Sequence, residues 1–134
     1  MTSGALPAVA AVISFIDCIN RGDLAGLGRL MTDDHQLKVF DQPPLAGRVA
    51  DVDAWQGYFA SFPEYVIYPR LVAELDGRVA VLGHTTGSHL GLADEVERRL
   101  PLIWVAEVAQ GCLRCWELVE DSEESRGQLG LDRA

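Results

Sequence analysis

Three ionisable side chains are the candidates for proton-transfer chemistry in this sequence: His84, His89 and Asp41. An imidazole titrates near neutral pH and can act as an acid or a base, so both histidines are candidates for direct chemistry. They stand five residues apart in a predicted strand. At that spacing they point to opposite faces, and at most one lines a cavity unless the strand has a bulge. Asp41 ends another predicted strand, where it either faces the cavity or caps the turn at Pro43 and Pro44.

Aromatic side chains are the stronger signal for a binding site. They concentrate in the predicted third helix and in the strands, as Trp55, Tyr58, Phe59, Phe62, Tyr65, Trp104 and Trp116. Flat apolar walls with a few hydroxyl and indole N–H groups suit a hydrophobic small molecule. The candidate ligand-binding residues from this set are Trp55, Tyr58, Tyr65 and Trp104. The alternative is that all of these rings only pack the core.

The sequence predicts neither a metal site nor a bound cofactor. Its three histidines are scattered and form no i, i+4 pair of ligands. Cys112 and Cys115 spell C-x-x-C, but they follow a Gln-Gly turn within a β-type run. A redox pair would instead open a helix, where the helix dipole activates a thiol. We therefore interpret the two cysteines as ordinary strand residues.

The composition is that of a small acidic globular domain. The chain has 134 residues, with 11 Lys and Arg against 20 Asp and Glu and a net charge of -9. This length fits one domain, and the negative charge repels nucleic acids and anionic membrane surfaces, so we expect neither as a partner. The apolar stretch at residues 6–16 is too short to span a bilayer, and no basic residue precedes it. We expect a cytoplasmic protein.

The spacing of hydrophobic residues predicts helices early in the chain and strands later. Helices are predicted over residues 5–20, 24–31 and 51–62, and strands over residues 35–41, 65–75, 78–90, 100–109 and 112–120. This order favours an α+β fold in which helices cover one face of a curved antiparallel sheet. Residues 1–121 form the single predicted domain. The acidic, aperiodic residues 122–134 are predicted to be a mobile and removable tail.

Four segments carry a resemblance to a known family. They are residues 15–24 (FIDCINRGDL), residues 30–35 (LMTDDH), Gly47-Arg48 ahead of the third helix, and residues 87–91 (GSHLG). In their order and spacing, the chain resembles the SnoaL-like polyketide cyclase group of the nuclear-transport-factor-2-like superfamily over residues 9–121. The resemblance implies a cone-shaped curved sheet closed by three N-terminal helices around an internal pocket. It also implies a homodimer that forms through the sheet.

The same superfamily includes ketosteroid isomerases, which pair a carboxylate base with a phenol and a protonated carboxylic acid. Aligned with that pattern, the phenol position falls on Phe15, the base position on Val39 and the acid position near Trp104. Phe15 has no donor, Val39 cannot take a proton, and an indole is a weaker donor than a carboxylic acid. An ordinary ketosteroid isomerase is therefore disfavoured. The resemblance places Phe15 and Val39 in the pocket wall as ligand-binding candidates.

The sequence leaves more than one function open. One hypothesis is cofactor-independent proton transfer, of the cyclase or isomerase type, on a hydrophobic carbonyl compound, which needs one positioned base and donors for an enolate. The alternative is a non-catalytic small-molecule binding protein or a dimerisation module. Alternating apolar residues also predict an outer sheet surface for a homodimer, formed by Val79, Val81, Ile103 and Val105.

Overall fold

The computed structural model describes residues 7–133 of the chain. Three helices precede most of the sheet: α1 (Ala8–Arg21), α2 (Leu24–Arg29) and α3 (Arg48–Ser61). Helix α1 ends at Gly22, whose left-handed backbone (φ 66°) suits a residue without a Cβ atom. Asp23 caps α2 by accepting the N–H of Gly26. All three helices were predicted, but their ends differ: α2 stops at Arg29 and α3 begins at Arg48. Residues 5 and 6 of the first predicted helix lie outside the described part of the chain.

Six strands form one curved, unclosed sheet, which confirms the predicted α+β fold. The strands are β1 (Met31–Val39), β2 (Leu45–Ala46), β3 (Val66–Leu75), β4 (Arg78–Thr86), β5 (Leu102–Ala109) and β6 (Cys112–Val119). Their order in the sheet is β2-β1-β6-β5-β4-β3. All neighbours are antiparallel except β1 and β6, which run parallel. The prediction that all strands pair antiparallel is wrong for β1 and β6. Residues 40–111 connect these two strands, and a connection of that length allows them to run parallel, which a short hairpin would not.

The largest differences from the predicted strand ends are at the start of β1 and at the end of β4. Strand β1 begins at Met31 and includes residues 32–34, which were predicted to lie between a helix and a strand. The pairing of β1 with β6 shifts register between Met31 and Gln36, so the strand continues through this segment with an irregularity. Strand β4 stops at Thr86 because Gly87 adopts a left-handed backbone (φ 70°). His89 therefore lies in the loop after β4, and the prediction that His84 and His89 share one strand is wrong.

The two faces of the sheet bury different clusters. The inner face packs on the helices and includes Val79, Val81 and Trp104. The outer face carries a smaller cluster of Ala80, Leu82, Ile103 and Val105. The predicted outer surface is therefore wrong in β4. Val79 and Val81 face the helices, and it is their neighbours Ala80 and Leu82 that share the outer face with Ile103, because successive side chains of a strand point to opposite faces.

The C-terminal residues continue the fold. They form α5 (Glu123–Leu129), capped by Ser122, and a 3₁₀ turn (Leu131–Arg133). Leu131 is only 2% exposed and packs with Leu129 on the outer-face cluster. The prediction of an aperiodic tail that buries little is wrong, because the two leucines provide an apolar edge within an otherwise acidic segment. A further short helix, α4 (Asp94–Glu97), lies between β4 and β5.

Candidate functional site

An aromatic cavity of about 210 Å³ lies between α3 and the inner face of the sheet. An apolar cavity of about 150 Å³ accommodates benzene, so this one has room for a somewhat larger ring compound. Its wall is formed by Leu37, Lys38, Val39, Ala54, Trp55, Tyr58, Tyr65, His89, Trp104, Trp116 and Leu118. The cavity therefore combines mostly apolar surface with a small number of polar groups.

Regular helix and strand spacing positions this wall. Ala54, Trp55 and Tyr58 lie on one face of α3, at the three- and four-residue intervals of a helix. Leu37 and Val39 alternate along β1 and point to the same side. Strand and helix thus contribute one continuous stripe each.

Contacts between rings hold the aromatic part of the wall. The Trp55 ring centroid lies 6.1 Å from that of Tyr58 and 6.5 Å from that of Tyr65. Across the sheet, Trp104 and Trp116 are nearly parallel at 6.3 Å. Such packing fixes ring orientation in addition to burying apolar surface.

The polar feature of the cavity is the pair formed by Tyr58 and His89. The Tyr58 hydroxyl lies 2.9 Å from His89 Nδ1, and its oxygen accepts the backbone N–H of His89 at 3.2 Å. Burial raises the pKa of Tyr58, with the nearby Glu97 carboxylate adding to the effect, so the phenol keeps its proton. When the imidazole is neutral and the phenol O–H donates to Nδ1, the Tyr58 oxygen still accepts the backbone N–H of His89, so both close contacts are hydrogen bonds. The ring proton then sits on Nε2.

Glu97 anchors the loop that carries His89. Its carboxylate is 1% exposed and accepts hydrogen bonds from the Thr85 hydroxyl and, at 3.4 Å, from the Ser88 N–H. Thr85 is near the end of β4, whereas Ser88 immediately precedes His89. One buried carboxylate from α4 therefore fixes the start of the loop against the sheet.

A family model described as a SnoaL-like domain matches residues 12–116. The chain belongs to the SnoaL-like domain family. This confirms the resemblance stated from the sequence. A search of curated proteins found no match.

Solved structures share the fold of this SnoaL-like chain at low sequence identity. A proposed polyketide cyclase from Sinorhizobium meliloti is 18% identical over 84% of this chain and 94% of that one, with a TM-score of 0.69. A proposed polyketide cyclase from Xanthomonas campestris pv. campestris is 20% identical over 91% of this chain and 96% of that one, with a TM-score of 0.66. TerC, co-crystallised with polyporic acid, is 16% identical over 92% of this chain and 98% of that one, with a TM-score of 0.70.

Five of the six predicted ligand-binding residues of the SnoaL-like domain line the cavity. They are Val39, Trp55, Tyr58, Tyr65 and Trp104. Phe15 does not line it. Its ring is fully buried beside the wall, 5.1 Å from the ring of Trp116 and 5.9 Å from that of His35. Phe15, which was predicted to face a ligand, instead packs in the hydrophobic core.

The three predicted catalytic residues are not brought together. His89 lines the cavity, whereas His84 lies outside its wall and stacks on Tyr68 at 4.7 Å. Burial and the neighbouring Arg70 and Arg98 guanidinium groups lower the pKa of His84. Asp41 is exposed in the turn that begins at Phe40, where a left-handed backbone (φ 48°) ends the alternation of β1. Asp41 thus does not continue the face of Val39, and the cavity-facing interpretation of it is wrong.

Three buried ionisable residues were not predicted to be buried: Asp51, His35 and Glu97. Asp51 is fully buried on α3, and His35 is fully buried on β1, although its position after an apparent turn suggested a solvated side chain. The spacing of Asp51 with Ala54, Trp55 and Tyr58 could have identified Asp51, because these intervals place all four on one helix face.

The described residues contain neither a cluster of potential metal ligands nor a helix suited to span a bilayer. No group of three or more His, Cys, Asp or Glu side chains among residues 7–133 is arranged to hold a metal ion. Cys18, Cys112 and Cys115 are free thiols. Within the same part of the chain, no helix is long and apolar enough to cross a bilayer.

Proposed function

We propose that this SnoaL-like protein binds a hydrophobic, carbonyl-bearing small molecule and transfers a proton to or from it without a cofactor. The observation that carries the proposal is the hydrogen-bonded Tyr58–His89 pair at the wall of an otherwise mostly apolar cavity. An apolar chamber provides affinity, and a few polar groups orient the ligand and provide chemistry. Crystals of the structurally similar TerC with polyporic acid agree with a small-molecule role for this cavity.

In this proposal His89 exchanges the proton, and Tyr58 supports it in both charge states. A phenol both donates and accepts hydrogen bonds. It donates to Nδ1 of the neutral ring, so that the Nε2–H is free to polarise a carbonyl oxygen. It accepts from Nδ1–H of the imidazolium, so that Nε2–H can be released to an enolate as a general acid. The enolate itself forms from the other neutral tautomer, in which Nδ1–H donates to the Tyr58 oxygen: Nε2 then takes the proton from the carbon next to the carbonyl, the ring becomes the imidazolium, and the same proton is returned from Nε2.

Proton transfer can be tested without knowing the natural substrate. A bicyclic ketone such as 2-tetralone is incubated with the protein in D₂O, and NMR follows deuterium entering the carbon next to the carbonyl. We expect His89→Gln to slow the catalysed exchange on the order of a hundredfold or more, which is the usual contribution of a positioned acid or base. His84→Gln is the matched control, because His84 lies outside the cavity, and it should exchange at the wild-type rate.

The competing function is binding without turnover. Apart from Lys38 and His89, the wall side chains are apolar or phenolic, and such a wall suits sequestration as well as catalysis. Tight binding of the ketone with no catalysed exchange would favour this second function. Exchange that His89→Gln leaves unchanged would contradict the role of His89.

The proposal includes the homodimer expected from the sequence. Leu129 and Leu131 already cover part of the outer face, so the contact would centre on β3, where Tyr68 and Leu75 are each exposed by about 40%. Exposed rings and aliphatic groups on a sheet are the usual components of such contacts. Light scattering at micromolar concentration tests this: a wild-type dimer that Tyr68→Glu converts to a monomer is expected, and a wild-type monomer contradicts it.

A further inference from the structure

Unpartnered polar atoms are concentrated next to one end of the cavity. Among the described residues, the buried side-chain atoms without a hydrogen-bond partner are His35 Nε2, both carboxylate oxygens of Asp51, Trp55 Nε1 and His84 Nδ1. All except the His84 atom belong to β1 and α3. Each buried polar atom left unpaired costs free energy on the order of 1–3 kcal/mol, so a concentration of them needs an explanation.

Asp51 extends the cavity-lining stripe of α3. It lies three, four and seven residues before Ala54, Trp55 and Tyr58, so it shares their face of the helix. Those three residues line the cavity, and Asp51 is the next position toward the start of the helix.

His35 extends the corresponding stripe of β1. It precedes Leu37 and Val39 at the two-residue interval of a strand, and both of those line the cavity. The two stripes are in step, because the Gly47 N–H donates to the His35 carbonyl at 2.8 Å and the Asp51 N–H donates to the Gly47 carbonyl at 2.9 Å. His35 and Asp51 therefore lie at the same end of the cavity, on the strand and the helix that face each other. His35 is two residues before the wall residue Leu37, and Asp51 is about one helical turn before the wall residues Ala54 and Trp55.

The two side chains offer complementary hydrogen-bonding groups. His35 Nδ1 lies 2.7 Å from the Leu113 carbonyl, which can only accept, so Nδ1 carries a proton. Burial lowers the pKa of His35, which keeps the ring neutral and makes Nε2 an acceptor. Burial also raises the pKa of Asp51 to about 7, so its carboxyl is largely protonated below neutral pH and provides a donor.

We propose that Asp51 and His35 form a second polar subsite at the inner end of the cavity, which takes up a hydroxyl group of the bound molecule. A hydroxyl is a donor and an acceptor at once, so it can donate to His35 Nε2 while it accepts from Asp51. This rests on the proposed function, because it assumes that the aromatic cavity is the ligand site.

The position of the subsite narrows the class of ligand. Asp51 and Tyr58 are seven residues apart on α3, which is about 10 Å along the helix axis. The subsite and the Tyr58–His89 pair therefore lie toward opposite ends of the aromatic wall. The ligand class is a hydroxylated ring compound whose hydroxyl lies at the far end from the carbonyl that meets His89.

The test uses a matched pair of probes, 2-naphthol and 2-methylnaphthalene, which differ only by a hydroxyl in place of a methyl group. Equilibrium dialysis gives both dissociation constants for the wild type and for Asp51→Leu, His35→Phe, Asp51→Asn and Tyr58→Phe. We expect the wild type to prefer the naphthol on the order of tenfold, a preference that two buried hydrogen bonds readily provide. Asp51→Leu and His35→Phe should abolish the preference and leave methylnaphthalene affinity within about twofold.

Two variants separate the subsite from the rest of the cavity. Asp51→Asn keeps a donor and an acceptor, so it should retain the preference. If Asp51→Leu does not fold, His35→Phe remains the variant that should lose the preference, and Asp51→Asn remains its control. Tyr58→Phe should retain it too; if it alone abolishes the preference, the hydroxyl binds at the His89 end and the subsite is overturned. Equal binding of both probes by the wild type, as expected if a water molecule remains between Asp51 and His35, overturns the subsite alone. Failure of both probes to bind overturns the ligand-binding cavity itself.

Discussion

The Tyr58 hydroxyl contacts His89 twice, at 2.9 Å from the ring Nδ1 and at 3.2 Å from the backbone N–H. The second bond matters because it holds the loop backbone as well as the ring. A ring restrained at both points presents Nε2 in one direction, and such restraint is what a proton-exchanging group requires.

The tautomer of His89 is the first prediction. In the wild type at a pH where the ring is neutral, the proton should reside on Nε2, because Nδ1 accepts the phenol O–H. In Tyr58→Phe this bond is lost and a mixture of both tautomers is expected. Nitrogen NMR of labelled histidine distinguishes the two, with His84→Gln used to assign the signals. An unchanged tautomer ratio in Tyr58→Phe would show that the phenol does not control the ring.

Stability should depend on pH through Asp51. Its pKa is about 7 in the folded chain, against about 3.9 in an unfolded one. Between these values the folded state binds more protons than the unfolded state, so Asp51 makes the free energy of unfolding fall as pH rises from about 4 to about 7. Asp51→Asn removes this loss.

Denaturant titration of both proteins at several pH values measures the effect. The stability of Asp51→Asn relative to the wild type should increase by a few kcal/mol between pH 4 and pH 8, because each tenfold difference in proton affinity between the folded and unfolded states corresponds to about 1.4 kcal/mol. His35 is present in both proteins, so the part of its titration that does not depend on Asp51 cancels. A difference that does not vary with pH would contradict the raised pKa of Asp51.

Glu97 provides a third prediction, because its charge acts on two phenols. Burial is the main cause that raises the pKa values of Tyr58 and Tyr65, and the Glu97 carboxylate raises both further. Glu97→Gln should therefore lower the pKa of Tyr58, which an ultraviolet absorbance titration can follow. It also weakens the acceptor for Thr85 and Ser88, with an expected loss of about 1–3 kcal/mol in stability. Glu95→Gln, an exposed change in the same helix, should alter neither quantity.

The C-terminal segment gives the fourth prediction. Leu131→Ala should reduce the free energy of unfolding by about 2–5 kcal/mol, because a fully buried leucine leaves a cavity when truncated. Gln128→Ala, an exposed position in α5, is the control and should have little effect. Thermal or chemical denaturation measures both. If the two variants are equally stable, Leu131 does not dock on the outer face as described.

The order of helices and strands could be predicted from the sequence because local spacing determines it. Helix α3 and the hairpin at Asp76-Gly77 follow from the periodicity and the turn residues on either side. Aromatic residues of α3 and β5 were also placed in the cavity wall correctly, since both elements must bury one face.

The polar part of the site could not be predicted because it depends on backbone conformation at single residues. Gly87 and Phe40 each adopt a left-handed backbone, and each ends the alternation that placed His89 in a strand and Asp41 on a cavity-facing stripe. Asp51 illustrates the other difficulty: a carboxylate in the first turn of a helix normally favours the helix dipole from an exposed position. Its spacing with Ala54, Trp55 and Tyr58 indicates the face that it shares, and the packing of that face against the sheet is what buries it.

The parallel pairing of β1 with β6 has a consequence for how the cavity comes into existence. Leu37 and Val39 lie beside Trp116 and Leu118, so the wall joins residues almost eighty positions apart in the chain. Contacts of such sequence separation form late, because a long loop must close before they contribute. During synthesis, Leu37 and Val39 lack their neighbours Trp116 and Leu118 until β6 has left the ribosome. The cavity wall is thus completed only when β6 joins the sheet, and a chain interrupted before β6 would lack the Trp116 and Leu118 part of that wall.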